Sequence, residues 1–178
     1  STDLYPLVAL LSAQPECETC RRCEENVGLV YLFGDEVRRT RALGVSVVSG
    51  APEQGYIRRT REGWCECFDP EKNSCRIYNE RPLCCRLYPL DLVVLENEPW
   101  WIIHAECPIG LRFERERRLD VLRVMTVGLE EALTAAEIAA WVAQDHFSTN
   151  VEAFEAEPVS IRRLRRLGSE IAPHLRSR

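Results

Sequence analysis

Nine cysteines run through this 178-residue chain, and their spacing is its most chemically suggestive feature. Three form a Cys17-x2-Cys20-x2-Cys23 run. Four more (Cys67, Cys75, Cys84 and Cys85) fall in the stretch CFDPEKNSCRIYNERPLCCRLYP, from Cys67 to Pro89. Cys65 precedes that stretch, and Cys107, followed by Pro108, comes after it. Thiolates two residues apart can wrap one inorganic centre, because a short turn brings their sulfurs together and aims backbone N–H groups at them. Three cysteines within seven residues are poorly explained as small buried hydrophobes, the usual fate of single free thiols. An odd number of cysteines, with Cys84 and Cys85 adjacent, also fits a closed disulfide framework badly. The expectation is reduced, metal-ligating thiols in a cytoplasmic protein.

Two kinds of metal centre remain open on spacing. Three close thiolates completed by a distant cysteine ahead of proline have the spacing of iron–sulfur ligation. Zinc ribbons tend to present two separated C-x2-C pairs, and the second is missing: Cys65-x-Cys67 is too short and Cys67 to Cys75 too long. The C-x3-C-x2-C spacing of radical S-adenosylmethionine enzymes is absent. Cys65 and Cys84 divide evenly between ligand and buried hydrophobe. Glu24, directly after Cys23, is a candidate carboxylate ligand, although surface charge is the commoner role. His104 lies near Cys107, where a packed imidazole is the simpler reading; His146 and His174 have no metal partner in the pattern. Arg81 and Arg86 would offset the negative charge of gathered thiolates and lower thiol pKa values, unless Arg81 merely pairs with Glu80 or another carboxylate.

Composition narrows the rest. A net charge of −5 with a pI near 5.4 argues against broad electrostatic capture of nucleic acid. The basic residues are 22 Arg and one Lys (Lys72), the arginines spread evenly rather than massed at one phosphate site. An apolar fraction of 46% supports an ordinary core, and no internal repeat is visible. Leu4 to Ala13 is apolar but too short to span a membrane. No Ser/His/Asp arrangement or glycine-rich phosphate loop stands out, so no catalytic residue can be named.

The elements that must position the cysteines read as follows. Leu4–Ser12 is expected to be helical and Gly28–Phe33 extended. Asp35 is a helix N-cap, with Val37 and Leu43 on the apolar side and Gly44 as the stop. Val45–Val48 reads as a strand, and Tyr56–Arg61 and Trp64–Phe68 as a pair turning at Glu62-Gly63. Pro82 opens a helical turn. Asp91–Leu95 and Trp100–His104 form a hairpin across Glu96–Pro99. Leu119, Leu122, Met125, Leu129 and Leu133 follow helical spacing, and Thr134-x-x-Glu137 matches a capping box. Asp145–Asn150 breaks that helical region. A last helix is expected from Ser160, with Ile161, Leu164, Leu167, Ile171 and Leu175 inward and Arg162, Arg163, Arg165 and Arg166 on a solvated face. The fold class is therefore α+β: a small irregular cysteine-rich metal-binding core with short antiparallel strands over residues 1–110, then a helical part over 111–178 packed on it.

The cysteine pattern resembles that of the YkgJ-type cysteine-cluster family of zinc- or iron-chelating proteins. Cys17, Cys20 and Cys23 match its C-x2-C-x2-C-C run, in which Glu24 takes the place of the last cysteine. Cys67 matches a later single cysteine. Cys75-Arg76-Ile77-Tyr78 through Arg81-Pro82, Cys85-Arg86 and Tyr88-Pro89 match its central block, and Cys107 its final cysteine. The likeness spans Cys17 to Pro108, with Cys65 and Cys84 as extras. One branch resembles flagellin lysine methylases that carry an iron–sulfur centre. The resemblance implies a 4Fe–4S cluster, or zinc as the alternative cofactor, held by ligands from Cys17, Cys20, Cys23, Cys67, Cys75, Cys85 and Cys107. It further implies a redox or protein partner and, by analogy, protein-lysine methyl transfer. A non-enzymatic zinc module that binds a partner through its helices is the remaining alternative, with no nucleic acid or membrane involved.

Overall fold

A computed structural model describes residue 11 and residues 30–49, 54–58, 60–62, 64–105, 107–143 and 161–170. Cys17, Cys20, Cys23, Glu24, His146 and His174 lie outside those residues, as do the expected Leu4–Ser12 helix (save Leu11) and the Asp145–Asn150 break. The described chain forms two compact units, one within residues 14–87 and the other chiefly within 88–178.

The first unit is built on a three-stranded antiparallel sheet. Strands β1 (Val30–Phe33), β2 (Val47–Ser49) and β3 (Gln54–Ile57) lie in the order β1-β3-β2. Ile57 is paired with Val30 on one side and Val47 on the other. All four β1 residues are buried, as the unbroken apolar run VYLF requires. Helix α1 (Glu36–Ala42) follows, with Asp35 at its N-cap. The Asp35 side chain caps no backbone group and instead pairs with Arg39 at 3.2 Å. Gly44 ends the helix at φ +77°, a left-handed conformation that glycine adopts without steric cost. Leu43 sits at the C-cap and is exposed, contrary to the expected apolar side, because the helix stops one residue before it.

Tyr56 and Ile57 belong to the middle strand of this sheet, so the expected long pairing with Trp64–Phe68 does not form. What remains of it is two backbone bonds, Thr60 N to Trp64 O at 2.9 Å and Glu66 N to Arg58 O at 3.1 Å. Beyond it come a two-residue ladder, β4 (Phe68–Asp69) with β5 (Ser74–Cys75), a 3-10 turn at Tyr78–Glu80, and helix α2 (Leu83–Leu87) after Pro82.

The second unit holds the hairpin β6 (Leu90–Leu95) and β7 (Glu98–His104). Its turn is only Glu96-Asn97, at φ 54° and 63°, so Glu98 and Pro99 join the strand. Paired positive φ values give a turn whose twist matches the strands, and asparagine tolerates it better than most residues. Helices α3 (Pro108–Arg115), α4 (Leu119–Ala132) and α5 (Ala135–Val142) follow. The first begins earlier than Leu111, with proline at its N-terminal turn. The Thr134 capping box is complete: Glu137 N donates to Thr134 Oγ1 at 3.1 Å and Thr134 N to Glu137 Oε2 at 2.7 Å. Leu92, Trp101, Ile102, Ile103, Leu122 and Leu129 are fully buried.

The expected last helix is instead strand β8 (Ile161–Arg166), antiparallel to β7. A bulge explains the misreading. Register shifts between Trp101 and Ile102, whose partners are Arg165 and Arg163, so Leu164 is the extra residue. An inserted residue breaks the two-residue alternation of a strand, and the three-residue step from Ile161 to Leu164 then imitates helical spacing. The arginines are not one solvated face. Arg162, Arg163, Arg165 and Arg166 pair with Glu114, Glu96, Glu130 and Glu98 respectively. β8 completes the β6–β7 sheet, so the hairpin and the C-terminal residues lie in one compact unit. Among the described residues, no helix is long and apolar enough to cross a membrane.

Candidate metal centre

Cys65, Cys67, Cys75, Cys84 and Cys85 pack together because several independent backbone anchors hold the segments that carry them. Glu66, between Cys65 and Cys67, is tied in three ways. Its N–H donates to Arg58 O, its carboxylate accepts from Ser46 N at 3.0 Å, and its carbonyl accepts from the Arg76 guanidinium. Phe68 N donates to Cys65 O at 2.9 Å, closing a tight turn around the two thiols. Trp64 stacks on Phe68 with ring centroids 5.0 Å apart, covering that turn. Cys75 is brought alongside by the Phe68–Cys75 strand pair and by Arg76 N donating to Cys67 O at 2.8 Å. The connecting turn is fixed by Asp69 Oδ1, which accepts from Glu71 N and Lys72 N at 3.0 and 3.2 Å.

Helix α2 delivers the other two thiols. Glu36, at the start of α1, is buried, and its carboxylate accepts from Phe33 N at 3.1 Å and from Leu83 N at 2.8 Å. Leu83 N is one of the amides that a helix start leaves without an internal acceptor, so Glu36 caps α2 from 47 residues away. The capped helix holds Cys84-Cys85 against β1, and Cys84 Sγ donates to Tyr31 O at 3.1 Å. Burial pushes the Glu36 carboxyl above the ordinary range, only partly opposed by Leu83 N, Phe33 N, Arg39 and Arg86.

The result is one apolar cluster of Val30, Leu32, Val37, Val45, Ile57, Cys67 and Ile77, with Cys65, Cys75, Cys84 and Cys85 packed against it. Cys67 is almost wholly buried. Its thiol is pushed well above the ordinary value, first by its hydrogen bond with Cys65, then by burial, then by the charges of Cys65, Cys75 and Cys85. A thiol so placed keeps its proton unless a cation compensates it. Soft thiolate donors, ionised by the ion they bind, suit zinc or an iron–sulfur centre, and on donor chemistry the group fits. Among the described residues, no three Cys, His, Asp or Glu side chains are arranged to hold a metal ion by themselves.

The expected ligands therefore fall into three sets. Cys67, Cys75 and Cys85 are brought to one cluster. Cys17, Cys20 and Cys23 lie outside the described residues. Cys107 is buried in the second unit at the N-cap of α3, its N–H directed at His104 O at 3.4 Å. Cys65, outside the expected ligand set, packs against the same apolar cluster.

The other candidates have different work. His104 is buried, stacks on Tyr88 and meets Asp91 Oδ2 through Nε2 at 3.1 Å; Trp141 Nε1 donates to Asp91 Oδ1 at 3.2 Å. Arg81 does not turn to Glu80. Its Nε donates to Tyr78 O at 2.9 Å and its guanidinium lies 3.8 Å from the centre of the Tyr78 ring. Arg86 Nε is buried without a hydrogen-bond partner among the described residues.

No match was found among curated proteins or among solved structures. A family model, CxxCxxCC, described as "Putative zinc- or iron-chelating domain", matches residues 16–108, just over half of the chain. That span takes in the anchored cysteine segments just described, and the match supports metal binding in general. The chain belongs to this cysteine-cluster family.

Proposed function

We propose that this is a cytoplasmic iron–sulfur protein holding one 4Fe–4S cluster through cysteine thiolates. The ligands would be drawn from Cys17, Cys20, Cys23, Cys67, Cys75, Cys85 and Cys107. The observation that carries the reading is the packing of Cys67, Cys75 and Cys85 against one apolar cluster, in which the Cys67 thiol does not ionise readily. Three close thiolates in the Cys17–Cys23 run supply the short spacing that such clusters use. When bound, the cluster would give the protein an electron-transfer centre, and a redox protein is the proposed partner. The chain's own contributions are positional and electrostatic. Glu66 and Glu36 fix the segments bearing the thiols, the apolar wall excludes water, and Arg86, next to Cys85, adds positive charge.

Purification without oxygen followed by metal and sulfide analysis tests this. About four iron and about four sulfide per chain, with broad absorption near ~400 nm, is the expected result. A colourless protein with stoichiometric zinc would overturn the iron reading in favour of a structural zinc module. Absence of both metals would overturn metal binding altogether.

A further inference from the structure

We infer that Arg86 is a positioning residue for the metal centre, donating a hydrogen bond from Nε to one of its sulfurs. This requires that the thiols of the first unit hold a metal, as proposed above. Arg86 Nε is buried, yet no acceptor meets it among the described residues. A buried N–H without an acceptor forfeits its hydration for nothing, so such a group in a folded protein calls for a specific cause, a bound ion or a redox role among them.

The acceptors that the fold offers go elsewhere. Glu36 is the carboxylate within reach of the Arg86 charge, but its oxygens face Phe33 N and Leu83 N, at 3.1 and 2.8 Å, and Nε is left without them. Other arginines of this unit are engaged: Arg39 by Asp35, Arg76 by the Glu66 carbonyl, and Arg81 by the Tyr78 carbonyl and ring. Arg86 also sits on a fixed backbone. Glu36 holds Leu83 N, Cys84 Sγ donates to Tyr31 O at 3.1 Å, and Arg86 N donates to Pro82 O at 3.1 Å. The same short helix carries Cys85, whose side chain packs against the apolar cluster that contains Cys67. A protonated thiol is a weak acceptor, whereas an anionic sulfur accepts strongly from a guanidinium. Assembly of the centre would therefore create the acceptor that Nε lacks, and hydrogen bonds to sulfur are among the means by which a protein retains and tunes such a centre.

The full chain, purified without oxygen, tests this through competition with a chelator and through unfolding of the chelated form. Arg86→Met is expected to weaken metal retention by ~10-fold or more, the scale for losing an outer partner of a metal ligand. Arg81→Met removes the same charge from a guanidinium already engaged by Tyr78, and should retain metal as wild type does. In denaturant, chelated Arg86→Met should unfold no earlier than chelated wild type, because a donor without an acceptor has been removed. Wild-type retention in Arg86→Met, an equal loss in Arg81→Met, or earlier unfolding of chelated Arg86→Met would each overturn the hydrogen bond and leave the metal reading standing. A wild type free of zinc and iron would remove both. Should Arg86→Met fail to fold, Arg86→Lys decides, since it keeps the charge without Nε–H: weakened retention supports the hydrogen bond, and wild-type retention overturns it.

Discussion

Glu36 shows how one carboxylate can govern the placement of thiols distant in sequence. Its two oxygens satisfy amides from β1's end and α2's start, so the helix carrying Cys84 and Cys85 is registered on the sheet by a single side chain. Because burial raises its pKa, the folded state binds this proton more tightly than the unfolded chain does. The resulting stability is fully present below the ordinary carboxylate pKa and is lost as pH rises through the raised value. Glu36→Gln removes the titration and also replaces one acceptor oxygen by a donor, at a cost of ~1–3 kcal/mol for the amide left unsatisfied. The advantage of wild type over the variant should therefore be largest in acid and shrink towards neutrality. Denaturant unfolding at a series of pH values measures that difference, in which the remaining carboxylates cancel. A constant difference would mean that the carboxyl is not perturbed by its burial.

The elements differ in how much of them the residues announce. The β6–β7 hairpin, α4, and the capping box of α5 were legible because period and cap residues agree. Gly44 marked the end of α1 for the same reason. Cys67, Cys75 and Cys85 were expected as ligands through the family resemblance, and the structure packs them in one apolar cluster. Cys65 was ambiguous because a single thiol is as often core as ligand, and only the anchoring of Glu66 shows where it is held. Strand β8 was illegible because its bulge counterfeits helical spacing. That error can be tested. On a helix the four arginines would be near-equivalent surface charges. On β8, Arg165 is buried and bonded to Glu130 at 2.5 Å and to Thr126 Oγ1 at 2.7 Å, whereas the ion pair of Arg163 with Glu96 lies at the surface. Glu130 also accepts from Trp101 Nε1 and Gly168 N, so losing Arg165 strands a carboxylate inside a network. Arg165→Ala is expected to cost ~3–5 kcal/mol, the range for breaking a buried pair. Arg163→Ala should leave stability nearly unchanged. Equal effects in thermal or denaturant unfolding would contradict the strand assignment.

The two units differ in what their cores are made of, and this decides how the whole chain should respond to loss of metal. The second has a dense apolar interior of Leu92, Trp101, Ile102, Ile103, Leu122 and Leu129, reinforced by the Arg165–Glu130 network. Among the described residues, the first has a buried cluster of seven, one of them a cysteine, with four more cysteines packed against it, beside other buried side chains such as Phe68 and Leu87. Below ~70–80 residues an apolar core alone seldom supplies more than ~3–5 kcal/mol, and metal ligation is one of the usual supplements. Removing a metal that ties the thiols together should therefore loosen the first unit and spare the second. Without the ion, the Cys67 thiol regains its proton, and part of what fixes the Cys65–Cys67 turn and α2 is lost. Hydrogen exchange read segment by segment before and after chelation would separate the two responses. Protection should fall across 30–33, 54–57 and 64–87 and persist across 90–104 and 119–132. Simultaneous loss in both sets would mean that the units share one cooperative core. Unchanged protection in the first set, with metal demonstrably removed, would mean that its apolar residues suffice and that the gathered thiols serve chemistry rather than folding.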